Sequence, residues 1–458
     1  MTSADDLVVV LPGILGSTLR RDGKLVWAPS AGSVLRAIGT LGGSVERLKL
    51  PIGVGDEFPY DGVEPGELMP DLHVLPGIWT AVKGYDRLLA RLRALGYRDG
   101  ANLIPVPYDW RLSCRYNARR LGEIVEPALE RWRHDGHDGA RVVFVCHSMG
   151  GLIARWYIEK RGGAEITAKL ITLGTPYRGA AKALAQLVNG ADPGLGRFRL
   201  QLTELARSMP SLHQLMPEYA CLQADDGLAR TTDAGVTLPE LDPGMVADAM
   251  RFHTDLGEAE AGRPASLEDT YPILGIRQTT ATTARLTDGR IELIDAYGRE
   301  GNLFGDATVP IVAACRADVK MDSNTLRRVP DKHGNLQRNR AALDEVEGIL
   351  TASNVVVKAA KPVELRVDVP ELVRAGEAIT VRVTPAEPVR QAMRLTVTSE
   401  QGTLVEARVL RPSAGPVTVS IDGLAPGAYG VDVGGTDEAS PFAAVSSDVL
   451  DWAEPGEG

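Results

Sequence analysis

The stretch Val143-Phe144-Val145-Cys146-His147-Ser148-Met149-Gly150-Gly151 carries an apolar run into a serine with small residues around it, and the helical stretch Leu152 to Lys160 follows. A strand turning sharply into a helix at a serine is the sequence form of a nucleophile elbow. The serine's backbone is strained there, and bulk two residues to either side would hold strand and helix apart. Gly150 meets that demand, while Cys146 stands where the pattern prefers glycine, its thiol still small. An ordinary strand-turn-helix with an exposed serine is the bland alternative, and this motif alone does not decide between them.

A serine hydroxyl is a weak nucleophile and needs a base plus a group that orients the base. Working outward, both appear in the order Ser, Asp, His. Asp306 lies in Phe304-Gly305-Asp306-Ala307-Thr308-Val309-Pro310, a glycine-led turn before an apolar segment, and His333 lies in a polar loop after the strand expected at Thr325 to Val329. His333 is the only histidine after Asp306, so this order permits no other base. Taken singly, Asp306 reads as a turn cap and His333 as a solvated loop residue; the ordered set of three argues for chemistry. Leu7 to Leu11 is a β-type run ending in Pro12-Gly13-Ile14-Leu15-Gly16-Ser17, where an oxyanion donor loop belongs. One N–H from that loop would join that of Met149. Spacing does not choose between Ile14 and Leu15. The Gly-Lys-Ser/Thr ending of a phosphate-cradling loop is absent.

Val9 to Ser17, Pro107-Tyr108-Asp109-Trp110-Arg111, His147 to Gly151, Leu170-Ile171-Thr172-Leu173-Gly174-Thr175-Pro176 and Gly305 to Pro310 resemble, in order, the successive motifs of the lecithin:cholesterol acyltransferase family. The resemblance covers roughly residues 6 to 350, and Pro-Tyr-Asp-Trp-Arg is its most specific block. It implies Ser148 as nucleophile, Asp306 and His333 as partners, and Leu15 as an oxyanion donor. It further implies cleavage of a phospholipid or other lipid acyl ester through an acyl-enzyme, with transfer to a lipid alcohol or to water. Ile78 and Trp79, in His73-Val74-Leu75-Pro76-Gly77-Ile78-Trp79, align with the family's lid or membrane-detecting region, with buried packing as the alternative for Trp79. Secreted members tie a lid with a disulfide, but there is no cysteine between Met1 and Ser113. Asp109, Trp110 and Arg111 are expected to be structural, through a local ion pair.

The 458 residues carry a net charge of −10, which argues against nucleic acid as a partner and offers no overall attraction to anionic lipid. The four cysteines lack metal-ligand spacing and are too few for a disulfide framework. The acidic start runs straight into the first strand, and no apolar run approaches the ~18 residues that span a bilayer. A cytoplasmic protein with peripheral membrane contact at most is expected, its cycle needing no metal and no diffusible cofactor.

Strands and helices alternate up to about Arg178, with Tyr85, Leu88, Leu89, Leu92 and Leu95 forming one apolar helical stripe. That alternation predicts a parallel sheet covered by helices. The expected division is an α/β-hydrolase over residues 1–353, with a lid at about 35–84 and a cap at about 180–265, and a C-terminal domain over 354–458. His213, inside the cap, is expected to be structural or exposed. From about Asn354 the period changes to two, over Val363 to Val369, Ala378 to Val383, Met393 to Thr398, Val405 to Leu410, Val417 to Ile421 and Gly427 to Val433. Evenly spaced strands of this kind predict an all-β immunoglobulin-like sandwich, with Tyr429 in a tyrosine-corner setting. It holds no catalytic constellation, and stabilisation and docking of a protein partner stand as its alternative roles. The competing class for the whole chain is a non-catalytic lipid- or partner-binding protein; it would be expected to have lost one of the three residues, and none is lost.

Overall fold

The computed structural model describes residues 5–27, 45–70, 84–191, 198–224, 227–233, 235–262, 270–298, 301–319, 326–351, 363–389, 391–411, 415–436 and 442–452. Ile78 and Trp79 lie outside the described residues, as do much of the expected lid and the 353/354 boundary.

The strands β1 (Leu7–Leu11), β2 (Leu103–Pro105), β3 (Val142–His147), β4 (Thr167–Leu173), β5 (Thr270–Gly275) and β6 (Arg327–Val329) form one six-stranded sheet, ordered β6-β5-β4-β3-β1-β2. Every pairing in it is parallel. β1 and β3 are buried along their whole length, as a parallel sheet covered on both faces requires. Alternation then sorts their side chains. Leu7, Val9, Leu11, Phe144 and Cys146 join one core with helices α2 (Cys114–His134) and α3 (Met149–Lys160). Val8, Val10, Val143 and Val145 join the other, against α1 (Asp86–Ala94) and α8 (Arg340–Thr351). The Leu88, Leu89, Leu92 stripe of α1 is buried as its spacing predicts. The Ser113 side chain caps helix α2 by accepting the Tyr116 N–H at 3.0 Å.

The segment after β4 folds into α4 (Ala181–Asn189), α5 (Phe198–Ser208), α6 (Pro210–His213) and α7 (Pro243–Ala261). Asp242 caps α7 by accepting the Met245 N–H at 2.9 Å, and Pro243 opens it. Leu222–Ala224 and Gly227–Ala229 pair with a hairpin, Thr283–Thr287 and Arg290–Ile294, in a separate four-stranded sheet. That hairpin was not foreseen from the sequence. His213 is buried, with Nδ1 at 2.9 Å from the Met209 carbonyl.

C-terminal to α8, β7 (Leu365–Asp368), β9 (Ile379–Pro385) and β12 (Val417–Ile421) form a three-stranded sheet ordered β7-β9-β12. β8 (Leu372–Arg374), β10 (Met393–Ser399), β11 (Leu404–Leu410), β13 (Gly427–Gly435) and β14 (Val445–Trp452) form a five-stranded one ordered β8-β14-β13-β10-β11. Apolar residues of both share one core, Val381, Leu395 and Val431 among them. The Tyr429 hydroxyl donates to the Ala425 carbonyl at 2.6 Å, which closes the expected corner. β8 was missed, being short and pairing in parallel with the final strand. All four cysteines are free and buried.

Candidate active site

β1, β3, β5 and β6 all run toward one edge of the sheet, and the loops there bring the sequence-predicted residues together. That edge is where parallel α/β sheets bind ligands. Ser148 follows β3 directly with φ 52° and ψ −125°, a left-handed conformation that costs free energy and aims the side chain outward from the turn. Helix α3 begins at the next residue. A Cβ at Gly150 would come within 2.9 Å of the Leu11 side chain, so the glycine expected there is the one the close approach needs.

Asp306 is far from β5 in sequence but is returned to it. Gln278 exchanges backbone hydrogen bonds with Gly305, at 3.0 and 3.1 Å, just beyond the end of β5. The carboxylate is anchored through Oδ1, which accepts the N–H groups of Thr308 at 3.0 Å and Val309 at 2.6 Å. His333 follows β6, and its own N–H donates to the Asp306 carbonyl at 2.8 Å. The side chains then meet: His333 Nδ1 lies 2.8 Å from Asp306 Oδ2 and His333 Nε2 lies 2.7 Å from Ser148 Oγ. All three residues are 1% exposed or less. A carboxylate only accepts, so Nδ1 carries the imidazole proton and Nε2 is left to accept from the serine hydroxyl. Such a row can take a proton from the hydroxyl as its oxygen attacks.

Pro12 to Ser17 packs on this row. Leu15 has φ 63°, which turns the loop, and a Cβ at Gly13 would lie 2.9 Å from Ser148 Cβ. Met149 is the first residue of α3, so its N–H has no acceptor within the helix. Pro107 to Arg111 braces the loop from behind. The Tyr108 hydroxyl donates to the Pro12 carbonyl at 2.8 Å, and Trp110 Nε1 donates to the Ser17 carbonyl at 3.1 Å. Arg111, with no exposed side-chain surface, pairs with Asp109 at 2.6 Å and also with Asp61 at 2.7 Å. The local pair is as expected; the link to Asp61, which ties residues 45–70 to the sheet, had no sequence signal. Tyr85 and His147 were also missed as site residues: the first reads as one more position of an apolar stripe, the second as the neighbour of the serine.

A cavity of about 210 Å³ opens behind Ala307 and Gly334, lined also by Lys332, Asn335, Asp368 and Ser447. Burial lowers Lys332 to about 8 and raises Asp331 to about 6. No group of three or more His, Cys, Asp or Glu that could hold a metal exists among the described residues, and no helix among them is long and apolar enough to cross a membrane.

A parallel sheet with helices on both faces and a serine elbow at the end of β3 defines the α/β-hydrolase class. Residues 78–241 match the lecithin:cholesterol acyltransferase family model. Lysosomal phospholipase A and acyltransferase of Rattus norvegicus is 28% identical over 214 residues, 45% of this chain and 45% of its own length. Phospholipase A(1) LCAT3 of Arabidopsis thaliana is 28% identical over 148 residues, 30% of this chain and 32% of its own. Over these residues the chain is similar to the lecithin:cholesterol acyltransferase family, and it spans less than half the length of the curated proteins it matches. Among solved structures, the propeptide form of Bacillus licheniformis lipase BlEst2 aligns with 98% of this chain and 93% of its own at a TM-score of 0.38 and 10% identity.

Proposed function

We propose that this chain cleaves the acyl ester of a phospholipid or related lipid through an acyl-enzyme on Ser148, and passes the acyl group to water or to a lipid alcohol. The observation that carries this reading is the hydrogen-bonded row Asp306, His333, Ser148, with contacts of 2.8 and 2.7 Å. His333 Nε2 takes the hydroxyl proton as Ser148 Oγ bonds to the ester carbonyl carbon, and Asp306 holds the imidazolium that forms. The N–H groups of Leu15 and Met149 donate to the oxyanion. Collapse expels the alcohol, which leaves with the proton from Nε2. Water or a lipid alcohol then attacks the acyl-enzyme, gives its proton to Nε2, and Ser148 takes a proton back as it departs. The cycle calls on no metal or diffusible cofactor. The substrate class follows from the phospholipase and acyltransferase activities for which the relatives are named.

The same reading places the catalytic body at 1–353, its cap at 180–265 over the acyl chain, and an immunoglobulin-like sandwich at 354–458 that stabilises it or docks a protein partner. Ile78 and Trp79 are assigned to contact with a lipid surface. Four buried free thiols support a reducing, cytoplasmic location, whereas the rat relative is lysosomal by name; cell fractionation decides between them. Incubating the full chain with mixed phospholipid and long-chain alcohol, with mass-spectrometric product analysis, tests the reaction. Free fatty acid means water is the acceptor, a new ester means transfer, and neither product, with no labelling by a fluorophosphonate, would refute the proposal.

A further inference from the structure

Behind Ser148, the loop expected to bind the oxyanion and the loop that carries His333 are joined by hydrogen bonds through two side chains. The Gly13 N–H lies 2.7 Å from Tyr85 Oη, Tyr85 Oη lies 2.9 Å from His147 Nδ1, and His147 Nε2 lies 3.0 Å from the carbonyl oxygen of His333. Each direction follows from what the end groups can do. An amide N–H only donates, so Tyr85 Oη accepts from Gly13. A carbonyl only accepts, so His147 carries its proton on Nε2. Neutral imidazole then has a bare Nδ1, and the Tyr85 hydroxyl proton goes there. The assignment uses every donor once and leaves no proton without an acceptor.

The surroundings keep both groups in these states. Tyr85, His147 and His333 are fully buried. Burial, with the nearby His333 adding to it, lowers His147 to about 3, and burial raises the Tyr85 hydroxyl above its ordinary range. The loop sits directly on this path, since a Cβ at Gly13 would lie 3.0 Å from His147 Nδ1.

We propose that Tyr85 and His147 are positioning residues that set the oxyanion loop in register with the imidazole of His333, so that donors and base address the same reacting carbonyl. This rests on the roles given to Ser148, His333 and Leu15 above. Neither side chain touches substrate. Their effect comes through preorganisation: a misplacement of about 1 Å among groups that act together costs roughly 10²-fold in rate. Buried partners that orient a site through its backbone act in the same way as those that orient metal-bound histidines.

The test uses the full chain and a short soluble ester. Tyr85→Phe keeps the ring and deletes the bridging hydroxyl. The expected result is a kcat lower by roughly 10- to 100-fold with KM within about twofold, and a parallel slowing of fluorophosphonate labelling. His147→Asn keeps an acceptor near the Nδ1 position and loses the donor to His333, and should show the same split. His147→Gln, which restores an N–H near Nε2, should recover part of the loss. A wild-type kcat in Tyr85→Phe, or a raised KM with kcat unchanged, would overturn the inference. If Tyr85→Phe does not fold, the other pair decides, and equal kcat in the Asn and Gln variants would overturn it. A wild-type chain that is neither labelled nor active removes the functional reading itself, and this inference with it. A labelled, active wild type with unaltered variants removes this inference alone.

Discussion

Asp331 Oδ1 accepts the backbone N–H of Ser446 at 3.4 Å, so the residue two positions before His333 is held by a strand 115 residues further along the chain. Asn335 Nδ2 returns a hydrogen bond to the Ser446 carbonyl, and on the other loop Gln278 bonds both the carbonyl of Leu365 and the N–H of Val367, at 3.1 and 3.3 Å. The C-terminal sheets thus touch the loops that carry both His333 and Asp306.

A chain truncated after residue 353 is therefore expected to stay soluble but to lose at least tenfold in kcat on a soluble ester. Equal kcat for the two lengths would show that those loops hold their shape unaided.

Ser148→Ala should abolish fluorophosphonate labelling and lower turnover by about 10⁴- to 10⁶-fold while leaving the circular dichroism unchanged, because the members of such a unit act together. His333→Ala is expected to behave alike. Labelling that persists in Ser148→Ala would assign the nucleophile elsewhere.

Arg111→Met leaves Asp109, whose side chain is 5% exposed, without its cation. Breaking a buried pair from one side costs about 3 to 5 kcal/mol, so urea unfolding should show a loss of that order. A change below about 1 kcal/mol would mean that the pair is better solvated than its burial implies.

Buried groups act on acid stability with opposite signs, His147, His253 and Asp331 among them. Burial foremost lowers His147 to about 3 and His253 to about 4. The unfolded chain protonates these near pH 6.5 while the folded chain resists, so their contribution falls as pH drops below 6.5. Asp331 works the other way: burial raises it from 3.8 to about 6, the folded chain protonates first, and its contribution falls as pH rises from 3.8 to 6. Between pH 6 and 4, two protons against one leave a slope of about 1.4 kcal/mol per pH unit from these groups. Asp331→Asn should steepen it toward twice that value. Urea midpoints at pH 6, 5 and 4.5 measure the difference, and an unaltered slope would count against the assignment.

Trp79→Ser is expected to weaken vesicle binding by about 1 to 3 kcal/mol, the worth of one large apolar side chain removed from water, with soluble-ester turnover unchanged. Equal losses on vesicle and soluble substrate, measured together, would make Trp79 a packing residue.

Much of this was legible in the sequence because the signals are local. The β3 run, the small residues around Ser148 and the period-two strands after residue 363 each encode their own geometry. Ser148, Asp306 and His333 could be put forward from their local motifs together with their order in the chain. What stayed hidden depends on distant partners. Nothing near Tyr85 announces that its hydroxyl reaches Gly13, 72 residues away, and nothing near Arg111 names Asp61. The strand Leu372–Arg374 gains its identity only from the last strand, with which it pairs.

Every thiol in this chain is free and shielded from solvent. The fold consequently has no cross-link to gain from an oxidant and none to lose to a reductant, so its melting point should be indifferent to dithiothreitol. For the experimenter this makes the native protein a silent background: one cysteine introduced on the surface would be the sole site open to maleimide, and a dye or spin label could be placed there without first removing any native residue.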